Sequence, residues 1–438
     1  MALARRNWVP KASEDYVLSI ADRTAGQSLD TTADEIGALI EQNRTTHDLD
    51  CVNLNPATNT MNPKAEAVLA QGLGRPSLGY PGDKYEMGLE AIEQIEVIAA
   101  ELAAEVFGAK YAEVRVGSGA LANLYVFMAT AKPGDTIIAP PGTIGGHVTH
   151  HAAGAAGLYG VITHPAPVDP KTYSVDIAQL RTDALRLKPK LITIGGSLNL
   201  FPHPIREIRA IADEIGAFVL FDAAHLSGMI AGHAWQQPLE EGAHIMTMSA
   251  YKSLGGPASG LIVTNEPELA ERIDAIAYPG LTANFDAGKT ASLAITMLDW
   301  KEYGRAYAAA MAETAHALAT ALVARDIPVF ARNRGISISH QFAIEAAAYG
   351  GGQTASKLLR KSNILAAGIG LPIAAVDGDL NGLRLGTPEI VRWGMTAADM
   401  PVLARFIADG LTGARPTAEI AKDVSAFRRE FSTLHFMR

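Results

Sequence analysis

The 438-residue chain is 48% apolar and 19% charged, a balance that supplies a sizeable core and excludes a disordered chain. Its net charge of -9 and pI near 5.8 argue against a nucleic-acid or anionic-membrane partner. One cysteine, Cys51, rules out an intrachain disulfide framework; with no signal-peptide core and no run of about 18 apolar residues, a soluble cytoplasmic protein is expected.

Residues 1–65 read as an N-terminal arm, in which a polar helical stretch (32–43) precedes the Asn- and Pro-punctuated "CVNLNPATNTMNP". Helical periodicity from Pro63 stops at the Gly/Pro-rich loop "GLGRPSLGYPGDKY", and a long amphipathic helix follows. Short apolar runs then occur at 112–116, 136–140, 159–164, 190–195, 217–222, 244–249 and 260–264, with helical stretches such as 204–216 between most of them. Strand–helix alternation with fully apolar strands predicts an α/β fold, a mostly parallel seven-stranded sheet covered on both faces. An Ala-rich helix over 302–325 leads into a mixed α/β segment. The expected organisation is thus the arm, a large domain over 66–300 and a smaller C-terminal α/β domain over 301–438.

Parallel α/β sheets bind ligands beyond the carboxyl ends of their strands, so the polar residues there are informative. Gly117-Ser118-Gly119 opens a helix near Ala120, where backbone N–H groups can bind an anion. Asp222 closes the apolar run "AFVLFD", and a carboxylate at a strand end needs a partner. His225 lies three residues on. About thirty residues after Asp222, Ser249 and Lys252 form Ser-x-x-Lys before a Gly-rich loop. Singly, each residue has an ordinary structural explanation. Together they suit pyridoxal phosphate, which needs a phosphate cradle, a lysine for a Schiff base and an acid on the pyridine nitrogen.

These residues resemble the fold type I, aspartate-aminotransferase-like pyridoxal-phosphate enzymes, and more narrowly the serine hydroxymethyltransferase family, including its α-methylserine aldolase and hydroxymethyltransferase branch. The matching stretches are "GYPGDKY" (79–85), "GSGALAN" (117–123), "GGHVTH" (145–150), "FDAAHLSG" (221–228), "YKSLGGPASG" (251–260) and "LRLGTPEIVRWG" (383–394). The resemblance implies that Lys252 forms the Schiff base, that Asp222 pairs with the pyridine nitrogen, and that His225 and Ser197 lie against the cofactor. It implies Ser118, Gly119, Ala120 and Ser249 around the phosphate, Arg384 on the substrate carboxylate, and Asn123 near cofactor or substrate. Tyr85 would reach the neighbouring subunit's site in a homodimer or dimer of dimers with shared active sites. No metal ligands are implied.

The departures bear on the reaction. The family's glutamate two residues before Tyr-Pro-Gly is Leu78, which cannot transfer a proton and argues against a tetrahydrofolate-dependent step. The family's ring-stacking histidine is Ile144, an aliphatic cover at best; the histidine before the lysine is Tyr251, and the phosphate loop is "GLTANFDAG". Glu86, next to Tyr85, is a candidate replacement for the lost carboxylate. The expectation is an aldolase-like enzyme cleaving a serine-, threonine- or α-methylserine-like amino acid to an aldehyde plus glycine or alanine. The rivals are a folate-dependent serine or α-methylserine hydroxymethyltransferase, a transaldolase and a non-catalytic pyridoxal-phosphate-binding relative.

Overall fold

The computed structural model describes residues 3–74 and 77–438; Arg75 and Pro76 of the expected Gly/Pro loop, and the first two residues, lie outside it. Seven strands form the central sheet: β1 (Tyr111–Glu113), β2 (Thr136–Ala139), β3 (Ile162–Pro165), β4 (Leu191–Ile194), β5 (Phe218–Asp222), β6 (Ile245–Ser249) and β7 (Gly260–Thr264). Their order is β1-β7-β6-β5-β4-β2-β3. All seven apolar runs become strands of this one sheet.

Only β7 runs against its neighbours β6 and β1. The cause is connection length. The parallel strands β4, β5 and β6 are joined through helices, whereas β6 and β7 are separated only by residues 250–259, too few for a crossover. The helix Ile205–Ile215 between β4 and β5 shows how the layers hold. Ile205, Ile208, Ile211 and Ala212 are buried on one stripe. Each fully buried isoleucine contributes about 1.5–3 kcal/mol.

The helix expected at 302–325 spans Ala287–Val323 and crosses residue 300 unbroken. Beyond it, β8 (Gln341–Glu345), β9 (Ala367–Ile369) and β10 (Gly382–Gly386) form an antiparallel sheet with β10 central. The arm holds the helix Leu29–Arg44 and another, Lys11–Ala25, absent from the sequence reading. One buried apolar cluster includes Val219 and Met246 of the central sheet, Met297 of the long helix, and Ile344 and Leu383 of the smaller sheet. Among the described residues, no helix is long and apolar enough to cross a membrane.

Candidate active site

The chain reversal between β6 and β7 carries Lys252. Gly255 turns there with φ +68°, and a Cβ on it would overlap the Arg392 guanidinium. Arg392 is fully buried and donates from Nη1 to the Gly255 carbonyl at 3.0 Å. Lys252 itself is 6% exposed. Burial lowers its amine, Asp222 pulls the other way and Arg384 adds to the lowering, leaving it at about 8.

Asp222 sits at the carboxyl end of β5, in register with Thr247 of β6. Its Oδ2 lies 2.8 Å from His150 Nε2 and accepts from Asn123 Nδ2 at 3.0 Å; its Oδ1 accepts from the Ala224 N–H at 3.0 Å. Burial alone would raise this carboxyl, but His150, the Ala224 N–H and Asn123 hold it well below the usual carboxylate range. Asp222 therefore stays ionised in a dry place, a fixed negative charge at the strand end. Thr247 donates to Asn123 Oδ1 at 2.7 Å, so both ends of the Asn123 amide are engaged in supporting Asp222.

Asp222, Lys252, His225, Asn123, Ser197 and Ser249 share one cavity with Ser118, Gly119 and Ala120. Ser118 caps the twelve-residue helix Gly119–Thr130, accepting from the Leu121 N–H at 3.2 Å. A Cβ on Gly119 would overlap Ser249 Oγ, so only glycine allows the backbone this approach. His225 Nε2 lies 3.2 Å from Lys252 Nζ, and burial followed by the nearby cations Lys252 and Arg384 keeps this imidazole well below its ordinary pKa.

Arg384, on the central strand β10, is 5% exposed. Its Nη1 donates to the Ser197 carbonyl at 2.5 Å, and its Nε has no hydrogen-bond partner. Burial brings it down to about 10. None of the ion pairs among the described residues involves it. A buried guanidinium without a carboxylate is costly, and its remaining donors suit a bidentate anion.

Two expected residues stand apart. Tyr85 is 77% exposed, and Glu86 Oε2 accepts from the Leu78 N–H at 3.3 Å; neither lines the Lys252 cavity of its own chain. Ile144, the position where an aliphatic cover was conceivable, lines a separate cavity beside Tyr173 and Leu198 and not the cavity that holds Lys252. His147 and Tyr251 line the Lys252 cavity instead. Sequence reasoning also gave no part to His150 or to Gln341, whose Nε2 donates to His225 Nδ1 at 3.1 Å. The "GGHVTH" match contained His150; nothing local pointed to Gln341.

The serine hydroxymethyltransferase family model matches residues 29–407. The chain belongs to the serine hydroxymethyltransferase family. Within it, an alpha-methylserine aldolase of Ralstonia sp. is 64% identical over 437 residues, covering 100% of both chains. A serine hydroxymethyltransferase of Sulfolobus acidocaldarius is 37% identical over 395 residues, covering 89% of this chain and 91% of its own. The solved L-threonine transaldolase from Pseudomonas fluorescens superposes with a TM-score of 0.85 at 22% identity, over 96% of this chain and 95% of that one, and so shares the fold. Like the family, this chain is a pyridoxal-phosphate-dependent enzyme of aldol and retro-aldol chemistry. The cavity fits that cofactor: an ionised buried acid, a buried amine near 8, and a glycine-walled helix N-terminus face one another.

Proposed function

We propose that the enzyme cleaves α-methylserine to formaldehyde and alanine, and runs the reverse addition, without tetrahydrofolate. The observation that carries the reading is Arg384, a buried guanidinium with no carboxylate partner, 3.4 Å from His225 and so beside the reactive amine. It would hold the substrate α-carboxylate and so fix which bond at the α-carbon can break. Ser118, Gly119, Ala120 and Ser249 would surround the cofactor phosphate, Asp222 would pair with its ring nitrogen, and Ser197 and His225 would flank it. Bound pyridoxal phosphate supplies an electron sink for the carbanion left when the Cα–Cβ bond breaks. Lys252, lowered to about 8, offers far more neutral amine for attachment than an ordinary lysine, and His225 lies within reach of any proton moved at that nitrogen. His147 is available to cover the ring where the family histidine is missing.

The α-methyl group comes from the 64% relative, and the independence from folate from Leu78 in place of the family glutamate. Glu86, bonded to the Leu78 N–H, is the candidate carboxylate substitute. A cytoplasmic homodimer is part of this reading, with Tyr85 and Glu86 serving the partner's site; the helix Leu29–Arg44 supports it, since no residue on it is buried while Leu29, Ile36 and Ile40 are exposed. So is division into a large and a smaller domain near residue 300.

The test is formaldehyde release from α-methylserine, serine and threonine, with and without tetrahydrofolate. Release from α-methylserine at a rate unchanged by folate is expected. A tenfold or larger gain on adding folate, or no release from α-methylserine, would overturn the reading.

A further inference from the structure

We propose that Gln341 is a positioning residue that fixes the tautomer of His225, so that an Nε2–H rather than a lone pair faces Lys252 Nζ. Gln341 opens β8 and is fully buried. Its amide is not free to turn over. The backbone N–H of Asn199 donates to Gln341 Oε1 at 3.2 Å, and a backbone N–H cannot accept. The amide nitrogen must then donate to His225 Nδ1, 3.1 Å away. A neutral imidazole has one acceptor nitrogen. With Nδ1 accepting, the proton sits on Nε2, 3.2 Å from Lys252 Nζ.

Arg384 competes for the same Nε2 at 3.4 Å, but its shorter bond is to the Ser197 carbonyl at 2.5 Å, so the imidazole need not accept from it. The strongest electrostatic influences on His225 are Lys252, Arg384, His340 and His147, each of which disfavours a second proton on the ring. Asp222 lines the same cavity but is paired with His150, and the ring is buried, so the imidazole stays neutral. When Lys252 is neutral, its lone pair accepts from His225, which favours that form. When the amine is engaged by the cofactor, the same N–H remains aimed at that place. Gln341 thus acts from the smaller sheet, 116 residues along the chain from His225 and touching it only at Nδ1.

The kinetic consequence rests on Lys252 being the reactive amine of the proposed function; the tautomer does not. The test is long-range ¹H–¹⁵N NMR of the full chain labelled with [¹⁵N]histidine, without and with pyridoxal phosphate, the His225 signal being assigned by its loss in His225→Gln. The native protein is expected to show the Nε2–H form alone. Gln341→Glu keeps the shape but replaces the donor by a carboxylate, and should move the proton to Nδ1. Gln341→Met, which cannot donate, should weaken the Nε2–H preference. In Gln341→Glu, kcat for formaldehyde release should fall about tenfold, the scale of one lost hydrogen bond, with KM within about twofold. An Nδ1–H native form, or Nε2–H retained in both variants, overturns the inference, and the native spectrum decides even if a variant fails to fold. Absence of formaldehyde release with the expected tautomer would instead count against the proposed function.

Discussion

The reactivity of Lys252 can be measured before any turnover. The perturbation is pH, applied to the cofactor-free chain while it captures pyridoxal phosphate. An amine at about 8 is roughly one-quarter neutral at pH 7.5, whereas a lysine at its ordinary 10.5 is about 0.1% neutral. Burial should therefore make Lys252 about 240-fold richer in the nucleophilic form at that pH, other factors equal. The sign follows directly: raising the pH removes the proton, so capture accelerates through about 8 and then levels off. Stopped-flow absorbance gives the capture rate, and dividing by the rate of a free lysine derivative under the same conditions removes the cofactor's own ionisations. The normalised rate should fall with increasing pH above about 8, because the reference amine keeps gaining neutral form after Lys252 is saturated. A ratio flat up to pH 10 would show an ordinary lysine and refute the reasoning. The Asp222→Asn variant removes the one charge that pulls the amine upward, so its midpoint should move below that of the native chain.

Arg384→Gln should raise KM for the amino acid by at least tenfold while leaving cofactor absorbance in place, measured by steady-state formaldehyde release and a spectral scan, because it removes the charge that awaits a carboxylate. Gly119→Ala should weaken cofactor retention by about tenfold, read by equilibrium dialysis, since the new Cβ would overlap Ser249 Oγ. Glu389 is buried with its carboxylate accepting from Asn53 Nδ2 at 2.7 Å, and burial raises it from 4.5 to about 7. A raised folded pKa gives a contribution to stability that is full below about 4.5 and lost as pH rises through about 7, amounting to roughly 3 kcal/mol. Glu389→Gln should accordingly gain on the native chain at pH 8.5 but not at pH 5, by urea unfolding; parallel curves at the two pH values would contradict this.

The central sheet was legible because its strands are apolar on both faces and stand out without tertiary information. Lys252 and Asp222 were legible because Asp222 ends one strand and Lys252 follows the end of its neighbour, which brings both to one end of the sheet. Arg384 was legible only through the resemblance; on its own it reads as a surface arginine, yet it lies buried on a central strand. Gln341 was not legible at all. Its part depends on contacts with Asn199 and His225, each more than a hundred residues away, and no local pattern encodes them. The early start of the helix Ala287–Val323 was hidden because its first turns mix Gly, Lys, Thr and Ser, and because Asp286 caps it by accepting from the Lys289 N–H at 3.2 Å, a signal outside the Ala-rich stretch.

That helix has a consequence for how the molecule can be taken apart or set in motion. It crosses residue 300 as one unbroken rod, with Met297, Trp300, Tyr307 and Met311 buried along it. A protein split there into two fragments would leave each half with a frayed helix end and a bare aromatic face, so complementation from separately expressed pieces should fail at this position. Nor can the region serve as a pivot. Any opening of the smaller sheet away from Lys252 must bend the chain at the rod's ends, near Asp286 or after Val323, and those are the places to introduce glycine if the aim is a looser enzyme that admits bulkier aldehydes.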